Sequence, residues 1–201
     1  RAGTMGVEAT RIATKLTELG DAELLRRAER GEESACHVLI NRHADSLYRL
    51  ALRLVGNAAD AEDVLQKTFL GAFRKPGGFA GRSSVRTWLS GILVNQAAKH
   101  HRSAYRRRER EVTNLPEVHQ AAEADDGAAP RAEDLDIRMD VEAALEGLSE
   151  EHREVIVLRE FQGLSYEEIA EVLDVPRGTV ESRLHRARRK LQEKLSDYMP
   201  H

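Results

Sequence analysis

The chain lacks most of what catalysis, secretion or membrane insertion would need. Its single cysteine, Cys36, excludes an intrachain disulfide and fits a reducing compartment. No apolar run reaches the roughly 18 residues of a membrane helix, and the N-terminus has no apolar signal-peptide core. Aromatic residues are 4% of the 201 positions, so modest cores in one or two small domains are expected. There is no Gly-rich phosphate loop followed by Lys-Ser/Thr, no metal-spaced Cys/His set and no His-Glu-x-x-His. Glu150/Glu151 and Glu167/Glu168 are chain neighbours on helix surfaces and do not face each other across a cleft. The expectation is no enzyme, no cofactor and no metal. His37 and His43 read as structural, and Cys36 as a buried small hydrophobe. No segment has the alternation of a strand, so the fold class is all-α.

What the chain does have is charge, unevenly placed. The overall balance is −3, yet Asp21–Arg108 is net +7, Glu109–Glu142 net −8, and Pro176–Lys194 net +5. Attraction to phosphate depends on where charge sits, so the two basic regions point to nucleic acid despite the acidic total. Pro116, Gly127 and Pro130 interrupt the acidic stretch. Two small helical domains joined by a flexible acidic linker at 109–134 follow, with an N-terminal extension at 1–20 that carries a weak helical pattern.

The second domain, 135–201, contains LSYEEIAEVLDVPRGTVESRLHRARRKL at Leu164–Leu191. Ser165 and Glu168 form a capping box for one short helix. Asp174 and Val175 make a turn, and Pro176 suits the first turn of the next helix. Val180, Leu184, Ala187 and Leu191 then repeat at helical spacing. This is a helix-turn-helix pattern, whose second helix enters a DNA major groove. With those apolar positions inward, Glu181, Ser182, His185 and Arg186 fall on or beside the outer face. Arg186 suits a paired contact to guanine, and Glu181 an acceptor for a cytosine amine. Glu181 reads equally as a surface acid or an internal partner of Arg177, Arg183 or His185. Arg177, Thr179 and Arg183 are placed for phosphates, as is Arg188.

In the first domain, 21–108, helices are expected over Asp21–Arg30 and Glu32–Val55. A third starts with Asp60 as cap and Asp63 at the capping-box position, and buries Val64, Leu65, Phe69 and Phe73. Lys75–Gly81 is a glycine-rich loop. Ser83 or Ser84 opens a helix through Trp88, Ile92 and Val94 to the basic cluster His100–Arg110. Cations beside an aromatic and a flexible loop suit single-stranded nucleic acid, although a lone tryptophan in a bundle is as often core.

Three segments, DAEDVLQKTFLGAF at Asp60–Phe73, FAGRSSVRTWLSGILVN at Phe79–Asn95, and Leu148–Leu191, occur in an order that resembles the extracytoplasmic-function (ECF) group of bacterial sigma factors in the sigma-70 family. The resemblance covers about Asp21–Leu195. It implies a region 2-like domain at 21–108 and a winged-helix-like, helix-turn-helix region 4 domain at 135–201. It implies docking on the clamp helices of core RNA polymerase through Asp60, Asp63, Gln66 and Phe69, with Lys67 where a glutamate is common. It implies −10 element contacts from Arg82, Ser83, Ser84, Trp88, Asn95, Lys99 and Arg102. It implies −35 element contacts from Arg177, Thr179, Glu181, Ser182, Arg183, His185, Arg186 and Arg188, with Glu181 where many relatives carry Lys or Arg. Expected partners are core RNA polymerase (clamp helices and flap), promoter DNA and an anti-sigma factor, in the bacterial cytoplasm without membrane insertion. Two other readings stand beside this one: a free-standing helix-turn-helix regulator, and a protein-only adaptor with an incidental basic face.

Overall fold

The computed structural model describes residues 16–74, 77–111 and 141–195, which are helical with no strand among them, so the helix-turn-helix carries no wing there. Most of the expected N-terminal stretch 1–20 and of the acidic linker 109–134 lie outside the described residues.

The first bundle has α1 (Asp21–Glu29), α2 (Glu33–Val55), α3 (Ala58–Arg74) and α4 (Val85–Glu111). Asp21 sits in the first turn of α1, and its carboxylate reaches across to Arg42 and to His43 Nε2 at 2.8 Å. That pairing makes the buried His43 structural, as expected. Cys36 differs from the expectation in being only half-buried; its thiol points at the Ala28 carbonyl, and burial pushes its pKa up. Gly56 ends α2 with φ 83°, a left-handed conformation that glycine adopts without a Cβ penalty.

The start of α3 corrects the sequence reading. The cap is Asn57, whose Oδ1 accepts from Asp60 N at 2.9 Å. Asp60 is inside the first turn, accepting from Asn57 Nδ2 at 2.7 Å and pairing with His100 Nε2 at 3.1 Å. Ala61, Val64, Thr68 and Ala72 then repeat at intervals of three and four and face the core. In α4, Ser84 Oγ accepts from Thr87 N at 3.0 Å, so Ser84 opens the helix. Its buried residues Val85, Leu89, Leu93 and Ala97 keep a spacing of four. The helix runs through Glu111, three residues into the predicted linker.

The second unit begins with a short helical stretch at 141–146. Then come α5 (Glu150–Ile156), which continues into a π turn at Val157–Phe161, α6 (Tyr166–Leu173) and α7 (Arg177–Lys194). Glu150–Phe161 is therefore one continuous helical run whose last turn is widened. Val155, Ile156, Val157 and Leu158 are consecutive and all buried. Four successive residues sweep about 300° around a helix, so this segment needs neighbours on nearly every side. It has them: α7 lies on one side, and α2 of the first bundle on the other. The two units thus share one continuous core.

Candidate nucleic-acid interface

The helix-turn-helix is built as its residues dictate. Ser165 Oγ accepts from Glu168 N at 3.1 Å, and Glu168 Oε2 accepts from Ser165 N at 2.9 Å, the complete capping box. Asp174 closes α6 in the left-handed region at φ 51°, which a short Asp side chain tolerates. Pro176 is the residue flanking α7, one position before its first helical turn. Val180, Leu184 and Ala187 are buried, while Glu181, Ser182, His185 and Arg186 are exposed on the opposite face. Thr179 is half-buried, and Ser182 Oγ donates to its carbonyl at 3.0 Å.

Several of the phosphate candidates are already partnered. Arg177 contacts Glu167 at 2.9 Å and Glu181 at 3.0 Å, so of the readings open for Glu181 the internal partner is the one occupied. Arg183 pairs with Glu151 at 3.0 Å. Arg188 donates through Nη2 and Nε to Glu160 Oε1, at 2.7 and 3.2 Å. Exposed ion pairs of this kind stabilise by at most about 1 kcal/mol, so phosphate can displace them. Arg186 has no carboxylate partner among the described residues.

The second basic face lies on α4 and the loop before it. Arg82 is exposed, Ser83 half-buried, and Ser84 exposed beside its capping contact. Trp88 is half-buried and packs on Phe79 with ring centroids 5.5 Å apart. It is therefore partly core, tied to the loop it follows. Asn95, Lys99 and Arg102 are exposed about two to four turns further on; Asn95 Nδ2 donates back to the Gly91 carbonyl at 3.0 Å. The side chains of Arg108 and Arg110 lie outside the described residues.

On α3, Gln66 is exposed, Asp63 half-buried and Lys67 exposed. Lys67 bonds Asp63 one turn away, so the unusual lysine covers a neighbouring docking candidate. Phe69 needs correction: it is 7% exposed and stacked 6.0 Å from Phe73, a core residue that supports the helix instead of presenting it. Its neighbour Leu70, 43% exposed, is the apolar residue on that surface, and the sequence reading missed it. An apolar residue one step off the buried repeat was the available signal.

The most consequential arrangement joins the two faces. Thr87, inside the −10 candidate segment, donates through Oγ1 to Glu168 Oε1 at 2.8 Å. One carboxylate thus caps a helix of the reader and holds the other domain. The Ser165 N–H, and then the Thr87 hydroxyl, keep its pKa below the usual carboxylate value against the opposing effect of burial. Arg86 donates to the Gln162 carbonyl at 2.9 Å and to its Oε1 at 3.1 Å. Arg53 lies over the Phe161 ring at 4.0 Å. A Cβ at Gly91 would sit 3.9 Å from the Val172 backbone, so α6 rests directly on α4. Among the described residues no group of His, Cys, Asp and Glu is arranged to hold a metal, and no helix is long and apolar enough to cross a membrane.

A helix-turn-helix with an exposed outer face, packed on a helical bundle that carries a second cationic helix, is the architecture of a DNA-binding factor. Residues 39–107 match the family profile described as Sigma-70 region 2, and residues 138–191 the one described as Sigma-70, region 4. The RNA polymerase sigma-H factor of Pseudomonas aeruginosa is 37% identical, the match covering 90% of this chain and 96% of that one. The ECF RNA polymerase sigma-E factor of Haemophilus influenzae is 35% identical, over 90% and 98%. The ECF RNA polymerase sigma factor SigE of Mycolicibacterium smegmatis is 41% identical over 80% of this chain, which spans 61% of that longer protein. Among solved structures, CnrH in complex with the cytosolic domain of CnrY is similar with a TM-score of 0.64 and 30% identity, over 88% of this chain and 97% of that one. The sigma factor RpoE in complex with the anti-sigma factor NepR from Bartonella quintana gives 0.62 and 34%, over 78% and 94%.

The chain belongs to the ECF group of the sigma-70 family. It is a sigma factor, which directs promoter-specific initiation through core RNA polymerase and is not itself an enzyme.

Proposed function

We infer a division of labour between the two units. The domain at 21–108 docks on the polymerase clamp helices through α3, with Asp63 and Gln66 as the polar contacts and Leu70 as the apolar one. Its loop and α4 then engage the −10 element as unpaired bases, through Arg82, Ser83, Ser84, Trp88, Asn95, Lys99 and Arg102. The domain at 135–201 reads the −35 duplex with α7 and reaches the polymerase flap. The linker at 109–134 holds the two DNA contacts on one enzyme, which raises the effective concentration of each for the other. Binding unpaired bases favours melting without nucleotide hydrolysis.

One observation carries this reading: the exposed set Glu181, Ser182, His185 and Arg186 lies over the buried set Val180, Leu184 and Ala187 on a capped helix-turn-helix. The compact arrangement fits an off state, because α6 covers part of the α4 surface that the −10 strand would use. The relatives CnrH and RpoE were solved with CnrY and with the anti-sigma factor NepR. An anti-sigma factor that stabilises the compact arrangement is the matching proposal for this chain, placing it in the bacterial cytoplasm, near the membrane where its partner is anchored there. Transcription from a promoter library with purified core polymerase tests the reading. Transcripts from a defined −35/−10 class support it, and transcription no different from core alone contradicts it.

A further inference from the structure

The strand-facing side of α4 extends beyond the positions assigned above. Asn95, Lys99, Arg102 and Arg106 stand at i, i+4, i+7 and i+11, so they share one face of the helix over roughly 16 Å. All four are exposed. Beside Arg102 and Arg106 lies Tyr105, at 65% the most exposed large hydrophobic side chain among the described residues. We propose that Tyr105 is a base-stacking residue for unpaired promoter DNA, held at the far end of a cationic track formed by Lys99, Arg102 and Arg106.

Charge supports that occupant. Among the described residues no carboxylate pairs with Lys99, Arg102 or Arg106, whereas Arg177, Arg183, Arg188 and Arg189 of the reader each have one. Uncompensated cations in a row suit a polyanion. An exposed ring among them adds a surface on which any base can stack. A closed duplex offers no free base face, so the pairing of ring and track selects single-stranded nucleic acid. Position supports it too. The reader domain rests on α4 at Thr87 and Gly91, and the track begins at Lys99, about two turns beyond. The strand site therefore has a portion that stays open in the compact arrangement.

This inference rests on the assignment of α4 to unpaired −10 DNA, and its test separates the two. Holoenzyme assembled from the full chain and core polymerase is titrated with fork-junction promoter DNA carrying a single-stranded non-template end, across a range of salt. Tyr105→Ala should weaken binding about fivefold or more, the lower end of base–aromatic stacking, with an unchanged salt slope. Tyr105→Phe should bind as wild type. Arg102→Ala should lower the salt slope by about 0.7, one single-strand phosphate contact. Wild-type binding by Tyr105→Ala overturns the proposal, as does an equal loss on fully duplex promoter. An equal loss in Tyr105→Phe points to the hydroxyl and also overturns it. A deficit traced to weaker core polymerase binding assigns Tyr105 to a protein contact instead. If Arg102→Ala and Arg106→Ala also leave fork binding unchanged, the α4 assignment itself fails; if they weaken it and Tyr105→Ala does not, only the stacking role is lost.

Discussion

Ser46 and Gln162 bond each other twice across the boundary between the two units. Ser46 Oγ donates to Gln162 Oε1, and Gln162 Nε2 donates to the Ser46 carbonyl, both at 3.0 Å. Gln162 is 5% exposed, and Oε1 also accepts from Arg86. A buried amide with every partner supplied by the other domain works as a register pin: correct docking satisfies it, and any other leaves it short.

Removing one side of that pin should open the protein. Ser46→Ala removes one of the two donors to Gln162 Oε1 and leaves the Arg86 bond and the bond to the backbone carbonyl in place, so it costs about 0.5–1.5 kcal/mol. The expected outcome is a larger mean separation between dyes on the two units, with core polymerase affinity at least as high as wild type. Energy transfer within single molecules reads this directly. An unchanged distance distribution would mean that the apolar contacts around Val155–Leu158 hold the domains without it.

Sequence selection at the −35 element should sit on α7. Arg186→Ala is expected to cost about 1–3 kcal/mol at one or two base positions. Arg188→Ala should lower binding evenly across sequences, and by less, because Arg188 must first leave Glu160. Selection from randomised −35 duplexes by each holoenzyme decides between these roles. An Arg186→Ala preference identical to wild type removes that residue from the reading face.

The polymerase surface and the core behind it should separate by mutation. Asp63→Ala with Gln66→Ala is expected to weaken core binding while leaving thermal stability near wild type. Phe69→Ala should instead destabilise the fold by about 3–5 kcal/mol, since the ring is buried against Phe73. Paired measurements of core affinity and melting temperature check both. A stable Phe69→Ala protein that fails to bind core would return Phe69 to the docking surface.

Stability should fall as pH rises from about 4.5 to about 7. Glu154 on α5 is pushed up to about 7, first by burial and then by neighbouring Glu150, against the pull of Arg183. Between the ordinary value of 4.5 and about 7, the folded protein keeps a proton that the unfolded chain has released. Stability from this group is therefore full below 4.5 and is lost as pH climbs through about 7. Glu154→Gln should flatten that slope in urea unfolding followed across pH. The same slope in variant and wild type would assign it elsewhere.

How far these features could be read in advance follows from the range of the interactions behind them. The helix-turn-helix was legible because its signals are local: Ser165 and Glu168 are three residues apart, and Val180, Leu184 and Ala187 mark one helix face. The start of α3 was misread because two acceptable caps, Asn57 and Asp60, lie within one turn, and only geometry chooses between them. The π turn at Val157–Phe161 left a trace in four consecutive apolar residues, but that run also suits an ordinary buried helix. Gln162 could not be found at all. Its partners lie 116 and 76 residues away, and nothing about a glutamine beside a turn identifies a serine on α2 or an arginine on α4. Leu70 and Tyr105 were hidden for another reason, since their exposure depends on which helix faces the neighbouring elements leave uncovered.

Promoter recognition by this sigma factor should require two weak DNA contacts to be joined on core polymerase. Gel-shift titration of one −35/−10 promoter with the full chain, with and without core polymerase, tests it most directly. Specific retention of the promoter is expected with core present, and only weak, salt-sensitive binding by the chain alone. Equally tight, sequence-specific binding without core would contradict it and point to a free-standing regulator.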